Sequence, residues 1–260
     1  MKLQFIMFLC LGSLFICGQS YSQNTPEIID LGLSVKWADR NVGANSPTEI
    51  GYYFAWGEVT PKNTYNWDNY AFGRRPNIRK YNSDSSYGTV DHKTILEKED
   101  DAAYVAYGEG WRMPTNEELQ ELRRSASVNS YKIDGVMCMN FSRNGKSISL
   151  PYGGKCGGGV IDEGEDLYVW SSTLGSFSNR AYSMHRHSGY LTSIHYRYLG
   201  FPIRAVYDDS QNNTSIKQLD DENHSIQSIT TIDGRKCDIK TKGILIIRKV
   251  NGKVLKIRNR

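Results

Sequence analysis

The sequence predicts an α+β protein: two short helices among mostly antiparallel strands, then a small all-β tail. Three observations carry this. Two stretches have the acidic starts and caps of short helices. Short apolar runs elsewhere meet at Gly- or Asn-containing turns, as hairpin strands do. A polar, acidic stretch from Asp208 to Ser225, nearly free of aromatics, separates a final set of strand-like runs from the rest.

In chain order, Lys2 and the apolar run 5–17 read as an export signal too short to span a bilayer. Ser20-Tyr21-Ser22 supplies small residues for a signal peptidase, so cleavage is expected between Ser22 and Gln23. Lipidation at Cys17 is the alternative, although Ile16 stands where a small residue is normally required. No later run is apolar and long enough to cross a membrane. Export with an extracellular or outer-membrane surface destination is the expectation. The organisation expected is a signal at 1–22, one domain at 23–207, a linker at 208–225 and a β tail at 226–260.

Within the domain, 28–38 predicts a hairpin around Gly32, and 51–58 a buried strand. Residues 60–91 are rich in Asn, Ser, Tyr and Gly and predict a long loop held by aromatic side chains. Such a loop is uncommon in a compact domain unless it is functional. Asp100-Asp101 open and Gly108 closes a short helix. A second begins at Thr115, whose hydroxyl and Glu118 form a capping box, with Leu119 and Leu122 on the buried stripe. Residues 135–141 and 148–151 predict a hairpin with Asn144-Gly145 at its tip. After a Gly-rich bend and a strand at 168–172, strands 180–187 and 190–195 join across Ser188-Gly189, and 202–206 closes the domain. Trp37, Trp56, Trp111 and Trp170 are expected in the core, because large aromatics dominate burial energetics.

Trp111-Arg112-Met113-Pro114-Thr115, with Asp30-Leu31-Gly32-Leu33, Asn41-Val42-Gly43-Ala44, Tyr53-Phe54-Ala55-Trp56-Gly57-Glu58, Trp170-Ser171-Ser172 and Ile203-Arg204, resembles the Fibrobacter succinogenes major paralogous domain, abundant in Bacteroides-type bacteria. The resemblance spans 28–206. It implies a C-type-lectin-like fold and a role akin to the surface and adhesin-like proteins that share it. In the variable proteins of that fold, the segment after Trp-Ser-Ser displays the ligand-binding side chains. Here that segment is 173–199. A two-residue turn at Ser188-Gly189 would put Ser183, His185, His187, Tyr190, Thr192 and Ile194 on one face, with Tyr196 following in the same region. A non-catalytic module binding a protein or glycan is the function expected. The basic tail, through Ile232-Asp233-Gly234-Arg235 and Lys242-Gly243-Ile244, resembles type IX secretion sorting domains.

Other chemistries fare worse. A net charge of +4 is too small to argue for nucleic acid. The signature also resembles formylglycine-generating enzymes, which implies a copper-binding cysteine pair. Cys138 and Cys156 are the only candidates, and they fall in a predicted hairpin and a Gly-rich bend where nothing nearby lowers a thiol pKa in a way the sequence reveals. The same two thiols either form a disulfide or, with Cys237, stay unpaired. His185 and His187 have metal-ligand spacing without an evident third ligand, and Asp162, Glu163, Glu165 and Asp166 form an acidic loop of the kind calcium uses. No cofactor is expected, and oligomeric state is left open. A purely structural envelope role is the remaining alternative.

Overall fold

A computed structural model describes residues 24–186, 192–210, 226–238, 240–249 and 254–259. The export segment with Cys17, Ser22 and Gln23, the linker beyond 210, and His187 and Tyr190 lie outside them. The described chain is mostly antiparallel β-sheet with two short helices, as expected.

The opening hairpin forms from β1 (Ile28–Ile29) and β2 (Lys36–Asn41). Helix α1 (Ala102–Tyr107) starts at Asp101, whose carboxylate accepts from the amides of Ala103 and Tyr104, and stops at Gly108. Strand β3 (Trp111–Arg112) leads into α2 (Asn116–Ser125). The capping box is present: Thr115 Oγ1 accepts from Glu118 N, and Glu118 Oε2 accepts from Thr115 N at 2.8 Å. Arg112 explains the rest of that signature. Its guanidinium donates to both Glu118 carboxylate oxygens, at 2.8 and 2.6 Å, and to Asp208 at 3.0 Å, tying the helix start to the end of the domain.

Strands β4 (Ser127–Ile133), β5 (Val136–Arg143) and β6 (Lys146–Pro151) form a meander. Asn144 and Gly145 turn at φ of 53° and 73°, the left-handed pair that a two-residue hairpin needs. Strand β4 was not expected. It is an exposed, polar edge, so it lacks the apolar alternation that marks a half-buried strand. The expected strand at 51–58 is buried but irregular, meeting Phe201 at the single bridge Phe54–Phe201. Gly51 and Gly57, both at positive φ, bracket it and prevent a continuous ladder.

The Gly-rich bend carries β7 (Lys155–Cys156) and β8 (Val160–Ile161). Then come β9 (Tyr168–Leu174), β10 (Arg180–His185) and β11 (Ser193–Tyr196), a three-stranded sheet with β10 at its centre. Strand β12 (Arg204–Tyr207) slots between β2 and β3, so the two ends of the domain share one sheet. Two large apolar clusters flank these sheets. One gathers Trp56, Trp111 and Trp170, the other Trp37, Leu119, Leu122 and Phe141, and all four tryptophans are at most 2% exposed. The tail forms its own antiparallel sheet from β13 (Ile226–Thr231), β14 (Gly243–Lys249) and β15 (Val254–Asn259), with Leu245 and Ile247 buried on one face of β14.

Candidate functional site

The ribbon formed by β10 and β11 does not have the register expected of it. A two-residue turn at 188–189 would set Ser183 opposite Ile194; in the structure Ser183 faces Ser193, and Tyr182 faces Ile194. A slip of one residue moves every side chain of one strand to the other side relative to its partner. Ser183 and His185 therefore share a face with Ser193 and His195, while Thr192, Ile194 and Tyr196 lie on the opposite one.

The first face is turned inward. Ser183 is fully buried, its Oγ 2.8 Å from His195 Nδ1. His185 Nε2 lies 2.8 Å from Asp166 Oδ2, and its ring stacks on Tyr168 with centroids 4.4 Å apart. The His195 ring meets His185, Tyr168 and Phe201 edge-on at 5.2–5.5 Å. Burial, helped by the neighbouring His185, lowers the His195 pKa to about 4. These groups do not form a nucleophilic relay. Asp166 orients one histidine and Ser183 bonds the other, and no substrate reaches a serine with no exposed surface.

The acidic loop does not converge on a cation either. Asp162 pairs with Lys155 at 2.8 Å, and Asp166 holds His185. Among the described residues, the one group of three acids close enough to share an ion is Glu97, Glu99 and Asp100. Lys80 Nζ sits 2.7, 3.3 and 2.5 Å from their oxygens, so a fixed ammonium stands where a metal would. Cys138 and Cys156 are not bridged. The first sits in β5 opposite Tyr131 and Pro151, the second in β7 opposite Gly200 and among Tyr65 and Tyr70. Both thiols are buried, and burial raises both pKa values, the opposite of a reactive cysteine.

The second face has two parts. Near the turn, Thr192 is buried under α2, donating to Asn116 Oδ1 at 2.7 Å and accepting from Gln120. At the other end, Tyr182 and Ile194 are half-exposed, and Tyr196 is exposed. There Tyr196 joins two aromatics from outside the ribbon pattern. Trp67 lies 6.0 Å from Tyr196 and 4.9 Å from Tyr198, and the two tyrosines run nearly parallel at 5.8 Å. The Arg180 guanidinium lies 4.4 Å over the Tyr196 ring. Of the residues expected at a site, only Ile194 and Tyr196 are presented outward among those described. Trp67, Tyr198 and Arg180 were missed. One sequence signal marked Trp67: unlike the four core tryptophans, it is enclosed by polar residues, Asn66 before it and Asp68-Asn69 after.

What places this platform is Arg197, between the two tyrosines. Its side chain is fully buried and points the other way, into the long loop. It donates to Tyr70 Oη (2.8 Å), Ser178 O (2.8 Å), Tyr81 O and Lys80 O (both 3.1 Å), and lies 4.8 Å from the Trp56 ring. Tyr70 in turn donates to Trp56 O and packs edge-on against Trp67. Loop and ribbon are thus joined from beneath, and the exposed rings sit over that joint.

A separate cleft of about 370 Å³ opens between α1 and β3. Its charged lining is internally satisfied: Lys98 pairs with Glu109, which also accepts from Tyr104 Oη, and Arg112 is held by Glu118 and Asp208. No family model, curated protein or solved structure matches the chain.

Proposed function

We propose that this chain is an exported, non-catalytic binding module of the Fibrobacter-type, C-type-lectin-like class, and that it recognises a glycan at the Trp67–Tyr196–Tyr198 platform. The observation that carries this reading is the platform itself. Three aromatic rings from two distant segments stay partly exposed, although burying them would be favourable, and a buried arginine holds them in place. Such rings offer large, rigid contact area at low entropic cost, and their faces suit the C–H-lined faces of pyranoses. The mostly antiparallel fold with two short helices is compatible with the family, and the Trp-Arg-Met-Pro-Thr signature has a structural role in capping α2. Delivery to the cell surface rests on the N-terminal signal and the basic β tail.

The test is a glycan array followed by titration of intrinsic fluorescence. Trp67→Ala and Tyr196→Ala are expected to weaken binding of the best hit tenfold or more, about 1.4 kcal/mol each, while leaving the unfolding midpoint close to the parent's. Unchanged affinity in both folded variants would refute the platform.

A further inference from the structure

Resting on the glycan reading above, we infer that the saccharide is acidic and that Arg180 takes its ring carboxylate. Arg180 differs from several cations near the ribbon and loop. Lys62, Lys80, Arg74, Arg112 and Lys155 are all engaged by acidic side chains. Arg180 has no acidic partner among the described residues, and its half-exposed guanidinium is held only by stacking on Tyr196.

That arrangement is pre-organised. The backbone is fixed on both sides, since Arg180 N donates to Phe177 O at 2.8 Å and Arg180 O accepts from Gly175 N at 2.9 Å. With its carbon over the Tyr196 ring and no acidic partner among the described residues, the guanidinium offers a planar fork of donors, which can receive a carboxylate through two parallel bonds. Asp68, the acid next to Trp67 in sequence, is itself paired with Arg74 at 2.9 Å, which offsets its charge. The cation sits on a ring that is 6.0 Å from Trp67. A sugar stacked on the aromatics thus brings an acid on its own ring to the edge of Arg180. A uronic acid within a polysaccharide and a sialic acid capping a glycoprotein both carry this chemistry.

The experiment uses the full mature chain with three probes: an oligogalacturonate, 3′-sialyllactose, and the oligogalacturonate after reduction of its carboxyls to alcohols. Wild type is expected to prefer one acidic probe over the reduced one by more than tenfold, and which acid binds identifies the source. Arg180→Gln is expected to bring that ratio close to one, and Arg180→Lys to retain part of it, because an ammonium keeps the charge without the planar fork. A wild-type ratio near one, or a ratio untouched by Arg180→Gln, overturns the acidic assignment. If the reduced probe still binds and Trp67→Ala removes it, the glycan reading survives that failure. Binding of none of the three, or of a single-stranded oligonucleotide in their place, overturns both.

Discussion

Replacing Arg197 by methionine keeps an unbranched apolar stem but removes the guanidinium and with it every donor. Four acceptors then lose their partner inside the protein: the carbonyls of Lys80, Tyr81 and Ser178, and the Tyr70 hydroxyl. Hydrogen bonds to a charged donor contribute about 1.5–3 kcal/mol each, and a buried acceptor left unpaired costs about 1–3 kcal/mol. The stacking of the guanidinium against Trp56 is lost as well. Partial relaxation and the favourable burial of methionine offset some of this, so a net loss of about 4 kcal/mol is expected, at the upper end for a single substitution. For a domain of this size that corresponds to a fall of roughly 8–16 °C in Tm. Urea denaturation followed by circular dichroism measures the first quantity. Native-state hydrogen exchange measures the second consequence, that protection is lost first around Tyr70 to Tyr81, where the loop is fastened. A loss below about 1 kcal/mol, or exchange that rises uniformly instead of in the loop, would show that Arg197 is not the fastener.

Two further predictions concern local devices. His195, lowered to about 4 by burial and by His185, must be neutral in the fold but takes a proton near 6.5 when unfolded. Its contribution is therefore present above pH 6.5 and lost as the pH falls toward 4. Allowing for its partial exposure, wild type should lose roughly 2 kcal/mol more than His195→Asn between pH 7 and pH 4. Parallel pH-stability profiles would disprove this; comparing the two proteins also cancels Asp101, whose carboxyl is raised to about 6 by burial and acts in the opposite sense. At the start of α2, Thr115→Ala should cost about 1 kcal/mol. Glu118→Ala should cost about twice that, because Glu118 serves both the cap and Arg112. Equal costs in chemical denaturation would contradict the shared role.

The features legible in the sequence are those whose causes are local. Thr115 and Glu118 sit three apart, and the helix start follows from two hydrogen bonds between them. Asn144-Gly145 requires a left-handed pair of residues and so predicts its hairpin unaided. Trp37, Trp56, Trp111 and Trp170 are buried as their size predicts. The polar edge strand at 127–133 was hidden because it buries no face and leaves no alternation to read.

The sequence alone determined the element types, the caps, most of the hairpins and the tryptophan core, since each depends on neighbours a few residues apart. Tertiary structure decided which way the ribbon faces. Register is chosen by fitting both faces at once, Ser183 and His195 against Tyr168 and Phe201 on one side and Thr192 against α2 on the other, and a one-residue shift reverses the outcome. It also decided that Trp67 meets Tyr196 and Tyr198, more than a hundred positions away. That meeting depends on a buried guanidinium finding three carbonyls and a hydroxyl in one place, an arrangement no local pattern encodes.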